Sequence, residues 1–222
     1  MADRHAELQD LLDRLVASAR ARRIREAWAE AAERLGLAHH AEPRLFDDVI
    51  DGTFAGLSVR VTHLALVELM ALSSVVSVDA LGALPSELVL EAEDLIGAYD
   101  WARAAERPPS STAYRSADAE ARAIDARMRS LLLGEGGGIG AALRQGSVTY
   151  HHAGPVDDGE LLIAIVHALT ELVRALVASP DAIPDQLLTQ AQTATSASVR
   201  ERCAEMLRRC YPTRPHSSSL PP

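Results

Sequence analysis

Apolar residues near the start of the chain recur at helical spacing. Leu8, Leu11, Leu12, Leu15 and Ala19 repeat every three or four positions, and Ile24, Trp28, Ala31 and Leu35 continue the stripe after a slip at 20–23. This predicts helix over 2–35, bent at the slip or divided there into an arm and a docking helix, with Gly36 as C-cap. The period then changes to two. Phe46–Phe54 and Gly56–His63 predict two strands joined tightly near 53–56. In the second, Leu57, Val59 and Val61 alternate with Ser58, Arg60 and Thr62, as a half-buried strand requires. Ser74–Ala80 predicts a third strand. Glu87–Glu93, where Leu88 and Leu90 alternate with Val89 and Glu91, predicts a fourth. The apolar stretch 64–72 fits either a strand or a helical turn.

The Pro/Ser-rich run 107–116 is the best internal boundary. Residues 117–133 begin as helix, and Leu131–Leu133 fit a helix end or a strand. Residues 134–140 read as a flexible turn and 146–152 as a strand. Glu160–Ala178 is a long helix, with Leu162, Ile165, Val166, Leu169, Leu172, Val173 and Leu176 on one broad face. Pro184 opens a helix over 185–193. Ser198 with Glu201 then forms a capping box for a second helix, lined by Val199, Cys203, Met206, Leu207 and Cys210. The fold class expected is α+β: an N-terminal helix, a mostly antiparallel sheet, a long packing helix and a C-terminal helical hairpin. The divisions are 1–36, 37–179, 180–211 and a disordered tail over 212–222.

Composition narrows the function classes. The 222 residues are 48% hydrophobic and 24% charged, enough for one substantial core or two small ones. Aromatics are only 4%, so Leu, Val, Ile and Ala must build it. A net charge of −9 repels phosphate backbones and argues against nucleic acid. There is no Lys. The Arg residues are interspersed with acids, as on solvated helix faces and as a GC-rich genome encodes. Arg20, Arg22, Arg23 and Arg25 form the only basic cluster and read the same way. Cys203 and Cys210 lie two helical turns apart, roughly 10 Å, beyond disulfide reach. They read as free thiols of a reducing compartment. Asp3, Glu7, Asp10 and Asp13 argue against a signal or transit peptide. His167, Glu171 and Arg174 interrupt the longest apolar stretch, so a buried helix is expected there instead of a membrane span. A soluble, cytoplasmic protein is the expectation.

Three segments carry a resemblance: Trp28–Leu37 (WAEAAERLGL), Ile50–Val61 (IDGTFAGLSVRV), and Ile124–Arg127 followed by a short apolar run, a Gly-containing turn, a strand and a long helix. Together they resemble a loosely defined group of uncharacterised bacterial proteins of myxobacteria-like genomes. That likeness covers most of the chain to residue 178 and implies no assigned activity. Many members of that group resemble membrane-anchored forms, and no anchor is expected here. The final hairpin (TSASVRERCAEMLRRC) resembles a single HEAT-like repeat, which alone must dock on the preceding domain. A plain capped amphipathic hairpin gives the same pattern.

No motif supplies catalysis, a cofactor or a metal. The cluster Gly134, Gly136, Gly137, Gly138 and Gly140 has Ile139 where a dinucleotide loop needs its third glycine, and no lysine follows. The pairs His39–His40 and His151–His152 are adjacent, so neighbours on a strand point to opposite faces. A metal site would need His63, His167 or a carboxylate brought in by the fold. Asp47, Asp48 and Asp51, and likewise Asp157 and Asp158, lack the alternating spacing of a calcium loop. Ser73–Ser74 and Ser110–Ser111 have no nucleophile elbow around them. The expectation is a non-enzymatic binding or regulatory protein with a protein partner. The competing class is an enzyme whose site is assembled from dispersed His, Asp and Glu residues.

Overall fold

The computed structural model describes residues 19–42, 47–66, 71–80, 82–106, 126, 128–134 and 138–213. Helix α1 spans Ala19–Leu35. Gly36 ends it at φ +66, with Leu37 N donating to Ala32 O and Gly36 N to Glu33 O, the reciprocal pair of a Schellman cap. Short strand β1 (Ala38–His40) follows, then β2 (Val49–Phe54), β3 (Leu57–Leu66) and β4 (Ala71–Asp79). Strand β5 is only Leu90–Glu91 and runs straight into helix α2 (Ala92–Glu106). Strands β6 (Gly138–Arg144) and β7 (Ser147–His152) precede the long helix α3 (Gly159–Ala178). Helices α4 (Ala182–Thr193) and α5 (Ala197–Cys210) form the final hairpin.

The chain is α+β. Its seven strands form one antiparallel sheet in the order β1-β2-β3-β4-β7-β6-β5. The β2–β3 and β6–β7 hairpins turn on two residues each, Ala55–Gly56 and Gln145–Gly146. All four have positive φ, the geometry that matches strand twist.

Strand side chains alternate between two different environments. Ile50, Val59, Val61, Val76, Val78, Leu90, Ala141, Leu143, Val148 and Tyr150 are buried on the inner face. Three helices lie across it: α1 against β1 and β2, α3 against β4 and β7, and α2 against β5 and β6. Leu162, Ile165, Leu169, Leu172 and Leu176 bury the stripe of α3. This is the one described helix long and apolar enough to cross a bilayer, and here it is a core helix. Asp158 caps it, accepting from Glu160 N and Leu161 N. Gly159 lets α1 approach, since a Cβ there would sit 3.1 Å from Ala27 O. Outside these helices, α4 packs on α2.

Several expectations are corrected. The fourth strand shrinks to two residues, because Ala92 opens a helix whose Leu95, Ala98, Tyr99 and Ala102 bury at helical spacing. The expected glycine turn ends in strand: Gly138 and Gly140 begin β6 across a register shift opposite β7. Leu131 and Leu132 are helical. Helix α4 starts two residues before Pro184. The N-cap of α5 is Ser196, not Ser198, and makes no side-chain cap bond. Instead the Arg200 guanidinium donates to Ala194 O at 2.6 Å. The expectations for 2–18, 43–46, 67–70, 107–125 and 214–222 lie outside the described residues.

Candidate functional site

The densest group of chemically capable side chains lies in the seam between α1 and the β1–β2–β3 end of the sheet. Three features of the chain build it. The stripe of α1 points Trp28 at the sheet, fully buried, with its indole N–H donating to Val156 O at 3.1 Å. The alternation of β3 puts His63 on the inner face with Val59 and Val61. Asp48, just before β2, is 1% exposed.

His63 stacks on Trp28 with ring centroids 4.1 Å apart and planes 20° apart. Its Nδ1 lies 3.4 Å from Ser74 Oγ, which also accepts from Val156 N at 3.0 Å. His39 is tilted against the same indole, with ring centroids 6.5 Å apart. Asp48 is committed elsewhere: Arg25 Nε donates to Oδ2 at 2.9 Å and Glu42 N to Oδ1 at 2.7 Å. Burial pushes the His63 imidazole down to about 4, against a weaker opposing pull from Asp48. Burial lowers His39 in the same way. Both rings are therefore neutral at pH 7. The Nε2 atoms of both are buried without a hydrogen-bond partner among the described residues.

The register sets these two imidazoles apart on the inner face. His39 pairs with Ile50, and Ile50 pairs with Val61, so His63 lies two strands over and two residues along from His39. That separates their Cα atoms by roughly 12 Å, with the indole stacked on one ring and tilted against the other. Among the described residues no group of three or more His, Cys, Asp or Glu could hold a metal ion.

The remaining candidates are dispersed. His40 faces Asp51 at 3.2 Å on the exposed edge. His151 is on the outer face, its imidazole lowered by burial and then by Arg144. His152 Nδ1 lies 3.1 Å from Gly154 O. His167 is exposed and meets Phe54 edge-on at 4.8 Å. Asp157 lies 3.8 Å from Arg20, and Arg22 and Arg23 are exposed. The Ser73 hydroxyl donates to His152 O, a structural role. Ser110 and Ser111 are outside the described residues. Cys203 is buried and Cys210 half-buried, both free. Beside Cys203 lies a pair that sequence reasoning missed: Asp94, 4% exposed, accepts from Arg202 at 2.8 Å and ties α5 to α2. The burial that raises the Asp94 carboxyl is partly offset by that guanidinium.

The opposite face of the sheet is different in kind. Ser58, Thr62, Val75, Ser77, Ala142, Ser147, Thr149 and His151 are half-buried there, and Arg60, Asp79, Val89, Glu91 and Arg144 are exposed. Short side chains thus fill the middle and charges the flanks. Ser73, at one end, is the buried exception. No protein-family model, curated protein or solved structure matches the chain.

Proposed function

We propose that this chain is a non-enzymatic binding or regulatory protein that acts through protein–protein contacts, and that the outer face of its sheet is the contact surface. One observation carries the reading. A seven-stranded sheet with three helices across its inner face carries, on the other, half-buried Thr62, Val75, Ser77, Ala142 and Thr149. Short side chains across adjacent strands make a flat surface, and flat sheet faces pack against other protein at about 10 Å. The α4–α5 hairpin, read as HEAT-like, serves as a brace with its inner face against α2. Free Cys203 and Cys210 suit a cytoplasmic setting.

The unpartnered Nε2 atoms of His39 and His63 favour the second reading, an enzyme with a dispersed site. Against it, both oxygens of Asp48 are engaged, so no general base is available to either imidazole from that carboxylate.

Affinity capture from the native host tests the choice. The bait is wild-type chain beside Thr149→Arg, which plants a long cation mid-face. A partner held by wild type and released by a folded Thr149→Arg chain supports the outer face. A partner held equally by both places the contact elsewhere, and repeated capture of nothing removes the binding reading.

A further inference from the structure

The register brings three polar residues into one row at the end of the inner face. Val49 pairs with Thr62, so the next step along β2 and β3 sets Asp48 across from His63. His63 in turn pairs with Ser74 of β4. The row reads Asp48–His63–Ser74, the spacing at which cross-strand side chains interact. All three are buried, and the indole of Trp28 is stacked on the middle one.

With the ring neutral, the carboxylate is held by groups outside the row. Arg25 Nε donates to Oδ2 at 2.9 Å and Glu42 N donates to Oδ1 at 2.7 Å. Arg25 Nη2 also donates to Glu42 O at 2.5 Å. These contacts tie α1 to both ends of the connection between β1 and β2. The His63 ring has Ser74 Oγ 3.4 Å from its Nδ1, and its Nε2 has no partner among the described residues.

A proton changes what the ring needs. An imidazolium donates from both nitrogens. Ser74 Oγ can take Nδ1–H, because a hydroxyl oxygen has two acceptor sites and Val156 N occupies one. Trp28 offers its π-face to the cation. Nε2–H then lacks an acceptor, and the buried cation a counter-ion, unless Asp48 turns to it. Among the described residues Asp48 is the one ionisable group whose charge acts on the ring, where it opposes the effect of burial. The competitor for that carboxylate is Arg25, whose side chain is 31% exposed. A guanidinium at the surface can turn to water at small cost, and a buried imidazolium cannot. We propose that His63 is a proton-sensing switch, whose protonation draws Asp48 away from Arg25 and Glu42 and so unfastens α1 from the β1–β2 connection while the sheet stays folded. The switch works whether or not the outer face of the sheet makes contacts.

His39 is the other titratable ring of the seam. It meets the same indole and feels Asp48, Arg25 and His40, but it stands in register with Ile50, two residues beyond Asp48. Above pH 6.5 the His63 ring is neutral in either arrangement, and the original one persists. In that arrangement the ring titrates at about 4. Paired with Asp48 it titrates at its ordinary 6.5 or higher, so the exchanged arrangement gains about 100-fold or more over the original between pH 7 and 4.

Heteronuclear NMR of the full chain from pH 7 to 4 follows each partner. The ring nitrogens of His63 report its protonation, and the Arg25 Nε–H and Glu42 amide signals report the hold on Asp48. All three are expected to move with one midpoint while the amide signals of β4, β7 and α3 stay in place. In His63→Phe the Arg25 and Glu42 signals should keep their neutral-pH positions at the wild-type midpoint. In His39→Phe they should move as in wild type. Signals that move alike in wild type and His63→Phe, or that follow His39, overturn the proposal. So does a His63 ring that gains its proton with Arg25 and Glu42 unmoved, one that stays neutral to pH 4, or one protonated only as every amide signal collapses to its unfolded position.

Discussion

Acid should unlock the seam beneath α1, and His63 is the group through which this can be measured. The ring is 9% exposed, stacked on Trp28, and held near 4 instead of 6.5 by burial. Trp28 from α1 stacks on it, Ser74 from β4 lies against its Nδ1, and the charge of Asp48 ahead of β2 acts on it. Because the folded value lies below the unfolded one, the unfolded chain binds more protons between pH 6.5 and 4. Stability contributed by the neutral ring is intact above 6.5 and is lost as pH falls toward 4, at about 1.4 kcal/mol per unit. Between pH 6.5 and 5 the loss from His63 alone is about 2 kcal/mol, and near pH 4 about 3 kcal/mol. His63→Phe keeps a ring on Trp28 and removes both the titration and the unpartnered Nε2. Urea unfolding of the two chains from pH 7 to 5, followed by circular dichroism, isolates the effect. Titrating carboxylates act equally in both chains and cancel in the difference. The expected outcome is a gap that shifts by about 2 kcal/mol in favour of the phenylalanine chain as pH falls. A gap that stays flat, or moves in favour of wild type, refutes the buried neutral imidazole.

Three further outcomes concern the helices. Leu169, 1% exposed at the centre of α3, should cost about 2–5 kcal/mol on replacement by Ala, measured by urea unfolding, while exposed His167→Ala should be nearly neutral. Gly97→Ala in α2 places a Cβ 2.1 Å from the amide nitrogen of buried Gln186 in α4, so it should destabilise by about 1–3 kcal/mol. Adding Gln186→Ala should recover most of that loss, and a strictly additive double variant would show that α2 and α4 do not meet there. In the native state a thiol reagent should modify half-buried Cys210 before Cys203, whose thiol is raised by burial and by Asp94; the reverse order would mean that α5 docks by another face.

Elements with one clear period were legible in the sequence. The alternation at 57–62 gave β3, and the broad stripe of 162–176 gave α3, because each pattern comes from burial of one face. Helix α2 was hidden: Leu88 and Leu90 suggest a strand, and Leu90 and Glu91 do reach the sheet before Ala92 turns the chain helical. Strand β6 was hidden by its glycines, which serve an irregular register and not a loop. The Trp28 seam draws on α1, β1, β3 and β4, so no local window contains it. One signal was available, since His63 continues the phase of Val59 and Val61 and must face the core. The short-side-chain centre of the outer face requires strand order and register together. Ser77, Thr149 and Ala142 become neighbours only after β4, β7 and β6 are paired.

A photo-crosslinking residue placed at Thr149 in living cells of the native host, compared with one at exposed Glu205 on α5, tests the contact face most directly. The expected result is a discrete adduct from position 149, identified by mass spectrometry as a second copy or as another protein, with none of that species from position 205. The same adduct from both positions, or none from 149 while 205 gives one, would contradict the assignment of the outer sheet face as the surface through which this protein works.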